Sequence, residues 1–80
     1  MARDYYAEAQ ELARLLDDGG FAEDGESLRR AIADGFTATE ILMALRWNLQ
    51  RIDKSNAALP LQTRRRIREL TAAIDAALGS

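Results

Sequence analysis

Apolar side chains recur along this chain at intervals of three and four residues, and no useful stretch alternates apolar with polar. That spacing belongs to helices buried on one side. Tyr5, Ala9, Leu12 and Leu16 share one stripe, and Leu28, Ala31 and Ile32 share a second. Ile41, Leu42, Leu45, Leu49 and Ile52 make a third, and Ile67, Leu70, Ile74, Ala77 and Leu78 a fourth. Gly19-Gly20, Gly35 and Pro60 punctuate the intervals. The pattern predicts four helices over residues 3–18, 22–34, 38–54 and 60–78. Helices of this length joined by short loops pack as an all-α, compact bundle of four short helices, a single helical domain spanning residues 1–80.

Local signals refine the boundaries. Gly19-Gly20 stops the first helix, because glycine tolerates the left-handed conformation a helix end needs. Gly25 weakens the first turns of the second helix, which leaves Asp24, acting as N-cap, as an alternative to a start near Phe21. Gly35 suits the C′ position, with Phe36 supplying the apolar contact that accompanies such caps. Thr37-Ala38-Thr39-Glu40 matches a capping box, and Phe36 with Ile41 a hydrophobic staple. Pro60 fits the first position of the fourth helix, where a missing N–H costs nothing.

The third helix carries more than its stripe. At about 100° per residue, Met43 and Trp47 fall opposite the arc from Ile41 to Ile52, with Arg46, Gln50 and Arg51 beside them. A helix apolar on both sides is usually buried. The expectation is therefore a central third helix, one face against the first two helices and the other against the fourth, with the Trp47 indole partly buried. The competing reading makes Met43 and Trp47 a partner-facing anchor, since tryptophan, methionine and arginine are enriched at interfaces.

Composition narrows the function. The 80 residues contain neither cysteine nor histidine, which removes thiolate chemistry, the commonest general base and the commonest transition-metal ligand. Ser27, Ser55 and Ser80 have no base to activate them, and the glycines form no phosphate-binding loop. No enzyme and no cofactor are expected. An acidic metal site is conceivable at Asp17, Asp18, Glu23 and Asp24, but the spacing is not that of an EF-hand. With no apolar run long enough for a membrane and acids in the first ten residues, the chain reads as cytoplasmic.

The net charge of −2 conceals an imbalance: residues 1–40 carry −6 and residues 41–80 carry +4. Asp17, Asp18, Glu23, Asp24 and Glu26 bracket the first interhelical turn and form a candidate partner-binding surface. Asp17 and Asp18 sit in the last turn of a helix, against its dipole, at about 0.3–1 kcal/mol each. Arg64, Arg65, Arg66 or Arg68 could compensate them within the fold. Those four arginines also suggest phosphate contacts. A pI near 5.0 and the acidic first half argue against that use, so nucleic-acid binding, or an adaptor role through the fourth helix, stands as the alternative.

The segment ESLRRAIADGFTATEILMALRWNLQRI resembles the small helical immunity proteins encoded beside bacterial polymorphic toxins and contact-dependent growth inhibition toxins. In those proteins a Leu-x-x-Ala-Ile, a glycine and a Thr-Glu-Ile-Leu-Met-x-Leu-Arg-Trp run recur. The matching residues here are Leu28, Ala31, Ile32, Gly35, Thr39, Glu40, Ile41, Leu42, Met43, Leu45, Arg46 and Trp47. The resemblance spans about residues 21–53 and implies a toxin-neutralising protein whose partner is a cognate toxin domain. An acidic protein suits the basic cleft of a toxin that attacks nucleic acid or nucleotides. The same residues also fit a self-associating bundle, a homodimer through the Trp47 face.

Overall fold

The structure, a computed structural model, describes residues 3–79. Four helices appear in order: α1 (Tyr5–Asp18), α2 (Ala22–Asp34), α3 (Ala38–Ser55) and α4 (Leu61–Ala77). No strand occurs among the described residues. Each helix packs against the next, and α4 closes back on α1. The cross-helix pairs run antiparallel throughout: Asp17 meets Arg29, Asp24 meets Arg51, Asp53 meets Arg64 and Arg68 while Arg46 meets Asp75, and Glu11 meets Arg66. The result is an up-down-up-down bundle.

The predicted stripes supply the core. Leu16, Leu28, Leu45, Leu49, Ile52, Ile67, Leu70 and Ile74 are fully buried, and Ala9, Leu12 and Ala13 pack with them. Tyr5, Ile32, Ile41, Leu42 and Leu78 cover its edges, and Ala77 is exposed. Each fully buried aliphatic side chain contributes about 1.5–3 kcal/mol. A partly exposed ion pair contributes about 0–1 kcal/mol. Burial therefore carries the stability, and the charged pairs set which faces meet.

The ends differ from expectation in instructive ways. At α1, Asp4 is the N-cap, its carboxylate accepting from the Ala7 N–H at 3.0 Å. The other end of α1 closes as a Schellman motif: the Phe21 N–H donates to Leu16 O at 2.7 Å and the Gly20 N–H to Asp17 O at 3.3 Å. Gly20 has φ +92°, which a side chain would strain. Phe21 then turns inward against the core. The aromatic that finishes a cap is thus Phe21, not Phe36.

Helix α2 begins at Ala22, as the predicted range has it, and not at the alternative start near Asp24; its N-cap Phe21 makes no side-chain cap hydrogen bond. Gly25 does not delay the helix but lets it approach α1: a Cβ there would lie 2.7 Å from the Ala13 carbonyl oxygen. Gly35 is extended at φ −81°, ψ 144°, so it is no left-handed C′ residue. A Cβ at Gly35 would overlap the Ile41 side chain. Phe36 is 93% exposed and makes neither the cap contact nor the staple. Thr37 caps α3 as expected, accepting from the Glu40 N–H at 3.1 Å, and the Glu40 carboxylate accepts from the Thr37 hydroxyl. Pro60 is the N-cap of α4 rather than its first helical residue, its carbonyl accepting from the Arg64 N–H at 3.0 Å.

Candidate functional site

Helix α3 is one wall of the bundle, with α2 and α4 as its neighbours, and not a central helix sandwiched between layers. Leu45, Leu49 and Ile52 point to the core. Arg51 reaches α2, where its guanidinium donates to Ser27 Oγ at 3.0 Å and to Asp24 Oδ1 at 3.3 Å. On the other flank Arg46 donates to Asp75 Oδ1 of α4 at 2.6 Å, and Asp53 pairs with Arg64 and Arg68. The remaining arc of the helix has no neighbour.

Met43 and Trp47 occupy that arc. Trp47 is 63% exposed and Met43 51% exposed, four residues apart and side by side. The expected burial of the indole against the fourth helix does not occur, because α4 is met by the side of α3 that carries Arg46 and Asp53, and Trp47 lies on the arc between the two neighbours. Gln50 and Lys54 continue the same exposed face. The Arg51 guanidinium lies 5.8 Å from the centre of the Trp47 ring, within cation–π range.

That arginine is itself held. Besides Ser27 and Asp24, it donates to Asn48 Oδ1 at 3.3 Å. The Asp24 side chain is only 17% exposed, and its second oxygen accepts from Asn56 Nδ2 at 3.0 Å. A chain of polar contacts therefore runs from the start of α2 through Asp24 and Arg51 to the indole. Sequence reasoning placed Arg51 beside Trp47 but missed its anchor; the i, i+4 spacing of the two was the signal available.

The five acids of the first turn do not form one free surface. Asp17 pairs with Arg29, and Glu26 approaches the same guanidinium at 3.5 Å. Asp24 is committed to Arg51 and Asn56. Asp18 and Glu23 remain exposed and without an ion-pair partner among the described residues. The compensating cations are Arg29 and Arg51, not the arginines of α4. No group of acids among the described residues is arranged to hold a metal ion, Asp17 and Asp24 being already engaged.

The α4 arginines are similarly engaged. Arg64 and Arg68 share Asp53, Arg64 also donates to the Asn56 carbonyl at 2.5 Å, and Arg66 lies 3.7 Å from Glu11. Burial pushes the Asp53 carboxyl up, but the hydrogen bonds from Arg68 and Arg64 outweigh it and hold the group below the ordinary carboxylate range. Arg65 alone of the four is without a partner among the described residues.

Among the described residues no helix is long and apolar enough to cross a membrane. The cavities are shallow and open to solvent, the grooves between helices being lined largely by charged side chains such as Glu11, Arg66 and Glu69. Comparison with protein-family models, curated proteins and solved structures finds no match for this chain.

Proposed function

We propose that this chain is a protein-binding module that neutralises a bacterial toxin domain by covering it, without chemistry of its own. The observation that carries the reading is the exposed Met43–Trp47 ridge of α3. A small fold that fully buries Leu45, Leu49 and Ile52 of the same helix leaves its one tryptophan largely in water and props it on a tethered arginine. Aromatic anchors of this kind, flanked by arginines, supply most of the energy in protein–protein contacts. The class of partner comes from the resemblance of residues 21–53 to immunity proteins. Asp18 and Glu23 stand ready to steer a basic toxin surface, acting on the rate of association more than on its final strength.

Co-expression with the product of the adjacent gene tests this. Trp47→Ala with Met43→Ala should abolish protection of the host cell and cost at least about 2 kcal/mol in affinity. Asp18→Lys with Glu23→Lys should mainly slow association and reduce its salt dependence. Folded ridge variants that protect as well as the wild type would remove the ridge from the contact, and a neighbouring gene without a toxin would remove the immunity reading. Retention of duplex DNA at moderate salt, abolished by Arg65→Glu, would support the nucleic-acid alternative.

A further inference from the structure

We infer that the α3 ridge is self-complementary, and that in the free protein it is covered by α3 of a second copy lying antiparallel across it. The inference rests on the reading of this ridge as a binding surface and names its occupant when no other partner is present. Glu40, Met43, Trp47 and Lys54 follow one another along the exposed face. Glu40 stands seven residues before Trp47, and Lys54 stands seven residues after it. Seven residues are close to two full turns, so all three share one side of the helix over about 21 Å.

A two-fold axis through Trp47, perpendicular to the helix, sets each residue opposite its mirror position. Trp47 then meets Trp47 of the second copy. Met43 lies across from the aliphatic stem of Arg51, and Glu40 across from Lys54, each contact made twice. Neither charge is spent within the chain: Lys54 has no ion-pair partner among the described residues, and Glu40 holds only the Thr37 hydroxyl and its own helix start. An acid and a base at equal distances from a central exposed aromatic are the arrangement that an isologous contact requires. One helix face is smaller than a standard interface, so dissociation constants on the order of 10–100 µM are expected. A toxin domain that uses the ridge would displace the second copy.

Sedimentation of the full chain over a concentration series tests the inference, with circular dichroism confirming that each variant is folded. The wild type should pass from monomer to dimer, and Trp47→Ala should remain monomeric. Glu40→Lys and Lys54→Glu should each weaken the dimer about tenfold, since two attractions become two repulsions. The double variant Glu40→Lys/Lys54→Glu should return close to wild-type association. Each single change also opposes the helix dipole, so an effect confined to the monomer would accumulate in the double variant rather than cancel. A wild type that stays monomeric at about 1 mM, a Trp47→Ala dimer, or a double variant weaker than either single would overturn the inference. Loss of protection by Trp47→Ala in a protein that never dimerises leaves the toxin reading standing. A dimer with no toxin partner removes that reading and keeps this one.

Discussion

The Arg51 guanidinium sits 5.8 Å from the centre of the Trp47 indole while one of its N–H groups donates to Asp24 Oδ1, 3.3 Å away on α2. The most exposed aromatic on α3 is thereby positioned by a partly buried charge on another helix. Replacing Arg51 by alanine should cost about 1–2 kcal/mol, because Asp24 then keeps only Asn56 as a partner. It should also lower the fluorescence anisotropy of Trp47. Unchanged anisotropy would show that the indole is held by something other than this arginine.

Trp47 itself offers an unusual contrast. Buried tryptophans cost about 3–5 kcal/mol when truncated to alanine. At 63% exposure this one should cost less than about 1 kcal/mol in the isolated chain. Its emission in dilute solution should be red-shifted, close to that of indole in water. A blue-shifted emission at the lowest concentrations would mean that the side chain is sheltered within the monomer.

Leu45 gives the opposite expectation. It is fully buried at the centre of the α3 stripe. Leu45→Ala should cost about 2–5 kcal/mol, a large share of what a small domain possesses. Denaturant unfolding will measure it, and a loss below 1 kcal/mol would put the stripe in the wrong register.

Gly25→Ala sets propensity against packing. Alanine is the better helix former by about 1 kcal/mol. The added Cβ would lie 2.7 Å from the Ala13 carbonyl oxygen, a backbone atom that yields only if α1 and α2 move apart. Overpacking of this kind costs about 1–3 kcal/mol, so a net loss is expected and the melting temperature should fall. A rise would show that the crossing has room.

Asp53 supplies a pH signature. Its carboxyl is held low by Arg68 and Arg64 against the opposing effect of burial. A group with a depressed folded-state pKa stabilises the fold above its unfolded value, and that stabilisation disappears as pH falls through the folded value. Comparing melts of wild type and Asp53→Asn should reveal a gap of about 1 kcal/mol above about pH 4 that closes on further acidification. A gap that widens in acid would reverse the assignment.

The stripes were legible because a 3.6-residue period needs only local sequence, and so were Thr37 as a cap and Gly19-Gly20 as a stop. The sidedness of Met43 and Trp47 was not. Apolar residues on two sides of a helix look alike whether a neighbouring helix or water faces the second side, and the ring arrangement decides between them. The fates of Asp17 and Asp24 were equally hidden, because Arg29 and Arg51 lie 12 and 27 residues away and meet them only once the helices align. In the sequence Gly25 read as a weak point in a helix start and Gly35 as a helix-ending cap. Their role is the absence of a side chain where Ala13 and Ile41 come close.

The pairs Asp24–Arg51 and Glu11–Arg66 join the hairpin of α1 and α2 to the hairpin of α3 and α4. The first hairpin is acidic and the second basic: residues 1–36 carry −5 and residues 37–80 carry +3. The molecule is thus assembled from two oppositely charged pieces that attract before they touch. Cut in the loop at residues 35–37, the halves should find one another in dilute solution, faster at low salt than at high, and rebuild the bundle without the covalent link.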